Sequence, residues 1–252
     1  TSLRASQRIR GTSAVTPIPR KGLGRKTGKD SFCFDKRVPN GMNITDNLLK
    51  FWFETNDLKE VVKKREIWFK SEHAFDSAIR DQFLTACEAA MAGRLEKLKD
   101  DTAGCLALTL LLDQCPRNLF RHTAQAYAAD ARALDVARHA LAQGYDANVS
   151  PWHRVFFYLP FEHSEDLTDQ DLSVELFTRL GIISSLEAAE GHREVIARFG
   201  RFPYRNRALG RTSTPDEIEF LKNPPMWGKT RTEIDSIQDQ KDRPRETKGR
   251  IT

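Results

Sequence analysis

Apolar side chains recur at helical spacing from Asn43 to Leu221. Ile44, Leu48, Phe51 and Trp52 fall at i, i+4, i+7 and i+8, one face of a first helix. Ser71 is placed to cap a second, whose face is Phe75, Ile79, Phe83, Ala86 and Ala90 and which ends near Gly93. A third, Thr102 to Leu112, is apolar nearly all round, as a central buried helix must be, and Pro116 is expected to interrupt it. Thr123 opens a fourth with Tyr127, Ala131, Leu134 and Leu141 inward and Gly144 as its stop. Ser150-Pro151 gives an N-cap and a first-turn proline ahead of the apolar run Val155 to Leu159. Thr168 with Asp171 begins a helix carrying Leu172, Leu176 and Leu180 before Gly181, and Ser185 precedes Leu186, Ala189, Ile196 and Phe199. Thr214-Pro215-Asp216-Glu217 reads as a capping box with proline in the first turn, its short helix ending by Asn223-Pro224-Pro225. No run alternates with period 2; Val155 to Tyr158 has strand composition, but its flanks are helical. The pattern predicts an all-α fold of about eight helices packed as antiparallel hairpins.

The longest nearly unbroken apolar stretch, Cys105 to Leu112, is far short of the roughly 18 to 20 residues that cross a bilayer, so no membrane span is expected. Charge divides the chain into three parts. Residues 1 to 40 hold ten Lys or Arg against Asp30 and Asp35, and residues 223 to 252 hold seven basic against five acidic residues, so a chain of net charge +5 has a middle of −5. The expected organisation is a basic extended arm over residues 1 to 42, a helical domain over 43 to 222 and an extended tail over 223 to 252. In the arm, Arg4, Arg8, Arg10, Arg20, Lys21, Arg25, Lys26 and Lys29 sit among Ser, Thr, Gly and Pro. Such a stretch buries too little apolar surface to offset its ordering entropy and takes a fixed shape only against a partner. It reads as residual organellar targeting sequence, as an arm lying on polyanion, or as a plain solvated tail.

Four cysteines, at 33, 87, 105 and 115, form no C-x-x-C pair and suit neither a disulfide framework nor a zinc site; a reducing compartment fits them best. Cys105 and Cys115 belong to or adjoin the apolar third helix and read as core, as do Trp52, Trp68 and Trp152. Trp227 lies in the polar tail after Pro224-Pro225 and reads as an anchor for a partner's pocket. No HExxH, G-x-S-x-G, P-loop or dinucleotide fingerprint is present. No metal, no cofactor and no catalytic residue is therefore expected.

Three long motifs carry a family likeness: Leu112-Asp113-Gln114-Cys115-Pro116-Arg117-Asn118-Leu119-Phe120-Arg121, then Phe156-Phe157-Tyr158-Leu159-Pro160-Phe161-Glu162-His163-Ser164-Glu165-Asp166, then His192-Arg193 leading to Arg198-Phe199-Gly200-Arg201-Phe202-Pro203-Tyr204-Arg205-Asn206. In this order they resemble the DUF924 family, a mostly bacterial group without an assigned activity. The likeness runs over residues 47 to 222 and leaves out both tails. It implies a TPR-like stack of helix hairpins, which presents grooves to partners and has no built-in chemistry. Two positions depart from the family pattern: Cys115 stands where Phe is usual, and Tyr204 where His is usual.

Glu162, His163, Glu165 and Asp166 form the sharpest constellation, a histidine among carboxylates suited to base catalysis or metal binding, or, more simply, to helix caps and ion pairs. Arg198, Arg201, Arg205, Arg207 and Arg211 interleave with Phe199, Phe202 and Tyr204, a pattern for an internal network with Asp113, Glu162 or Glu165, for a small-anion pocket, or for RNA. Asp113 and Arg117 read as an i, i+4 tie. The anion pocket would comprise His163, His192, Arg193, Arg198, Arg201 and Arg205. A solvent-open pocket where they converge would favour ligand binding or catalysis, and mutual pairing under helices would weaken it.

The basic arm makes the expected role that of a non-catalytic accessory or scaffold subunit of a large mitochondrial assembly on the matrix side. Neighbouring subunits, and rRNA through the arm, are the expected partners. A ribosome is slightly favoured over a respiratory-chain complex. A small-ligand-binding protein or enzyme using the His/Arg cluster, and a peptide-binding module using the groove of the stack, are the alternatives.

Overall fold

The computed structural model describes residues 44–70 and 72–225, and within them every regular element is a helix. In chain order these are α1 (Ile44–Phe53), α2 (His73–Met91), α3 (Thr102–Thr109), α4 (Cys115–Leu119), α5 (Asp130–Ala142), α6 (Pro151–Glu162), α7 (Leu167–Leu180), α8 (Ile183–Phe199) and α9 (Pro215–Phe220). The all-α expectation therefore holds. Successive helices α5 to α8 pack on one another, while α3 lies at the centre against α1, α5 and α6. No helix among the described residues is long and apolar enough to cross a membrane.

One continuous core takes in the inner faces predicted by periodicity. Leu48, Trp52, Ile79, Phe83, Leu106, Leu110, Phe156, Phe157 and Phe177 are all buried. The ring of Trp52 stands edge-on to Phe156 at 5.7 Å between centroids, and Phe53 meets Phe156 at 5.4 Å. Side chains close the C-terminus of α1: Arg65 Nη1 donates to the carbonyls of Phe51 (2.9 Å) and Trp52 (2.6 Å), and Trp68 Nε1 donates to Trp52 O (2.8 Å). They satisfy carbonyls that have no partner inside the helix.

Several boundaries differ from the sequence reading. Pro116 does not interrupt the central helix. Leu110–Gln114 forms a π turn that joins α3 to α4, and Pro116 occupies the first turn of α4. Proline cannot donate to the carbonyl four residues back, and its ring crowds that turn; widening the helix by one residue just before it relieves both. Ala124–Tyr127 is a 3-10 turn, α5 begins only at Asp130, and Ala131 is exposed; the inner face of α5 is Ala133, Leu134, Val136, Ala137 and Ala140, Leu134 as expected. Asp166, through a hydrogen bond from Thr168 N (2.7 Å), caps α7. The capping box at α9 is present as predicted, with Thr214 and Glu217 bonding reciprocally. Ser71 lies outside the described residues, and Glu72 occupies the N-cap of α2.

Gly104 shows how tightly α3 is seated. A Cβ there would stand 2.3 Å from the carbonyl oxygen of Leu98, a backbone atom that cannot rotate away. Gly104→Ala is expected to destabilise the domain by about 1–3 kcal/mol, as overpacking does. The midpoint of urea unfolding measures it, and a midpoint equal to that of the unsubstituted chain would refute this packing.

Candidate functional site

The π turn supplies one wall of a buried polar centre: it carries Asp113, which is fully buried. The end of α6 supplies the other wall. His163 is the C-cap of that helix, and Gln170 of α7 holds the segment by donating to the carbonyls of Glu162 (2.7 Å) and Ser164 (2.7 Å). The two walls meet where His163 Nδ1 lies 2.7 Å from Asp113 Oδ1. Gln114 Nε2 donates to the other carboxylate oxygen at 2.6 Å, and Arg117 Nη1 reaches Asp113 Oδ1 at 3.2 Å.

A second layer surrounds this pair. Arg117 binds Asp130, at the start of α5, through two nitrogens at 2.8 and 3.0 Å. Arg205 donates to Asp130 Oδ2 (3.2 Å) and to His163 O (3.0 Å). Its guanidinium lies over the rings of Phe202 (4.4 Å) and Tyr127 (4.7 Å), contacts that favour a desolvated cation. His192 of α8 faces the same centre: its ring centroid is 6.3 Å from that of His163, its Nδ1 bonds Ala188 O at 2.8 Å, and Glu162 Oε1 lies 3.4 Å from that nitrogen. Exposure rises across the cluster from Asp113 at 0% to His163 at 14%, Arg117 at 17% and Asp130 at 21%, so the centre meets solvent along one edge.

The surroundings push the titratable groups apart. Burial would raise Asp113, but the charge of Arg117 and the hydrogen bonds from His163 and Gln114 hold its carboxyl well below the ordinary range. Burial, reinforced by the charge of Asp113, pushes Glu162 up to about 8. Burial draws His192 down to about 3 against its bond to Ala188, and burial with the Arg117 charge lowers His163 against the pull of Asp113. Near neutral pH the centre therefore holds a carboxylate, two neutral imidazoles and a protonated carboxylic acid. Two carboxylates, Asp113 and Asp130, face two guanidiniums, Arg117 and Arg205. Among the described residues no group of three or more His, Cys, Asp or Glu is disposed to hold a metal ion.

Of the six residues expected to form an anion pocket, His163, His192 and Arg205 converge here. Arg193 sits on the exposed face of α8 and pairs with Asp171 at 2.6 Å. Arg201 forks onto Glu217 at 2.6 and 2.8 Å, and Glu217, held also by Thr214 N and Asn206, is lowered to about 2 chiefly by that guanidinium. Arg198 lies over the ring of Phe199 at 4.6 Å, away from the centre. Glu165 binds Arg211 at 2.7 and 3.0 Å and accepts from Phe202 N at 2.8 Å, so that carboxylate ties loops and Asp166 caps a helix. Tyr204 sits half-buried beside Arg205, whose Nε donates to its hydroxyl at 3.4 Å, and Cys115 is fully buried. Asp130 was not singled out from the sequence, and Tyr127 was expected only on the inner face of a helix: the Ala-rich stretch around them carries no motif. The arm residues Arg4, Arg8, Arg10, Arg20, Lys21, Arg25, Lys26 and Lys29, and the tail residue Trp227, lie outside the described residues.

Fold and site together define an all-helical domain built around a buried His/carboxylate centre. Residues 48–225 match the family described as bacterial protein of unknown function, DUF924, and the chain belongs to that family. It is also similar to a solved structure of a protein of unknown function from Agrobacterium tumefaciens, with 40% identity, 72% of this chain and 98% of the other covered, and a TM-score of 0.66. No curated protein matches the chain. Family and solved relative are both bacterial, which overturns the expectation of a mitochondrial accessory or scaffold subunit, in a ribosome or a respiratory-chain complex, and with it the matrix localisation. That expectation rested on a cationic, acid-poor composition, and such composition favours solvation or any polyanion without specifying a compartment.

Glu162 and His192 also set a pH window for stability. The folded value of Glu162 lies above its unfolded 4.5, so its contribution is complete below 4.5 and is lost as pH rises to about 8. The folded value of His192 lies below its unfolded 6.5, so its contribution is complete above 6.5 and is lost as pH falls towards about 3. The two slopes cancel between 4.5 and 6.5, with losses on either side. Glu162→Gln is expected to be more stable than the unsubstituted chain at pH 9, by a few kcal/mol, and equal to it at pH 4. Thermal melts at the two pH values measure this, and a difference independent of pH would show that Glu162 is not held protonated.

Proposed function

We propose that this chain carries a proton-transfer site for an uncharged polar small molecule, with the imidazole of His163 as base and the carboxyl of Glu162 as acid. The observation that supports it is the 2.7 Å contact between His163 Nδ1 and Asp113 Oδ1. An ionised Asp113 accepts the Nδ1 proton, fixing the tautomer that leaves Nε2 with its lone pair. Among the described residues no hydrogen bond engages Nε2, and His163 is at the edge of the centre that meets solvent. Neighbouring groups whose surroundings drive one carboxyl up and one imidazole down are matched as acid and base near neutral pH. The uncharged ligand follows from the electrostatics. Arg117 and Arg205 are both committed to Asp130, so neither has an unanswered charge to offer an anion.

Nitrogen-15 NMR of the histidines tests the arrangement without knowing the substrate. At pH 7 His163 is expected neutral and protonated on Nδ1, and Asp113→Asn is expected to release it to a tautomer mixture; an Nε2–H form in the unsubstituted chain overturns the reading. A mixture of neutral polar metabolites, followed by proton NMR, then tests the chemistry. Turnover found there is expected to fall about 10²- to 10⁴-fold in His163→Ala, the range of general acid–base catalysis. Turnover that survives the substitution would remove His163 from the role.

A further inference from the structure

A second site lies between α8 and α9, lined by residues other than those of the Asp113–His163 centre. Between α8 and α9 a cleft of about 140 Å³ is floored by Val195, Phe199, Phe220 and Pro225, with the rings of Phe199 and Phe220 5.1 Å apart. Gly191 forms part of its wall. A glycine in the interior of a 17-residue helix costs about 1 kcal/mol relative to alanine, and here it keeps the wall free of a side chain.

Two charged side chains complete the lining, Glu194 and Arg198, one helical turn apart. Glu followed by a cation at i+4 is the favourable order for an ion pair on a helix. Here none forms. Both residues are exposed, and among the described residues neither makes a salt bridge; the guanidinium of Arg198 lies instead over the Phe199 ring, 4.6 Å from its centroid. An apolar slot thus has one unanswered anion and one unanswered cation at its rim.

We propose that this cleft binds a small zwitterion with an apolar body, an aliphatic α-amino acid. Its carboxylate meets Arg198, its ammonium meets Glu194, and its branched side chain lies on Phe199, Phe220 and Val195. The size suits it, since a cavity of about 150 Å³ holds a benzene-sized group. The charges suit it too, because each end of the ligand supplies what one rim residue lacks. This site does not depend on the acid–base reading of His163: none of the residues that line the cleft belongs to the centre.

Calorimetry on the full chain with L-leucine, isovalerate and isoamylamine tests the proposal. L-Leucine is expected to bind, and the two singly charged analogues at least about tenfold more weakly, each lacking one charge-assisted contact. Arg198→Gln and Glu194→Gln, both at exposed positions, are each expected to weaken L-leucine about tenfold. His163→Ala is expected to bind L-leucine like the unsubstituted chain, so failure of one site does not imply failure of the other. No binding of L-leucine, equal binding of isovalerate, indifference to both rim substitutions, or loss of binding in His163→Ala would each overturn it.

Discussion

A carboxylate taken wholly out of water must be answered on every side, and the answer given to Asp113 organises much of the domain around it. An uncompensated buried charge costs several kcal/mol, more than most single contacts return. Here His163 from the end of α6, Gln114 from the π turn and Arg117 from α4 all reach the same group. Two of these are held in turn, Arg117 by Asp130 of α5 and the backbone of His163 by Arg205. Four separated stretches of chain are drawn together through one charge. The loop after α8 is held against the end of α6 by Arg205 on the carbonyl of His163 and by Glu165, which takes Arg211 and Phe202 N.

The same answer restricts the chemistry. Because the guanidiniums are spent on Asp130 and Asp113, the centre is close to neutral, and Glu162 sees mainly low dielectric and a neighbouring negative charge. That is why an acidic group beside two arginines ends up protonated instead of ionised. His192, the second imidazole, stays uncharged for a related reason: its proton-bearing nitrogen is engaged by a backbone carbonyl, and burial opposes a second proton. Tyr204 places a phenol at this edge, its hydroxyl accepting from Arg205 Nε at 3.4 Å.

Helix existence was legible because apolar spacing survives errors of a residue or two at each end, and the faces of α1 and α2 follow it closely. The π turn was not legible: Leu110-Leu111-Leu112 is equally apolar whether wound at 3.6 residues per turn or wider, and only the tertiary demand of Pro116 and Asp113 decides. Within the site, the motifs pointed to Asp113, Glu162, His163, His192 and Arg205 as segments, without saying which would touch. The Asp113–His163 contact spans fifty positions, and nothing local encodes it. Asp130 escaped for the opposite reason. A lone acid at the start of an Ala-rich helix looks like a favourable first-turn charge, and its bidentate grip on Arg117 exists only in three dimensions.

The arginine-rich segment after α8 shows why residue type alone misleads about ligands. Five guanidiniums interleaved with aromatic rings suggest a surface for polyanions, but the structure commits Arg201, Arg205 and Arg211 to Glu217, Asp130 and Glu165, each contact closing a loop onto the helical stack. A guanidinium satisfied by a carboxylate has little left for a phosphate, since binding one would mean breaking the first pair and leaving its acid unanswered. Arg198 differs because no acid among the described residues reaches it and an aromatic floor lies beside it. Local composition does not separate these arginines. What separates them is whether a partner carboxylate arrives from elsewhere in the fold: that criterion assigns Arg201, Arg205 and Arg211 to architecture and leaves Arg198 and Arg207, of which Arg198 lines an aromatic cleft.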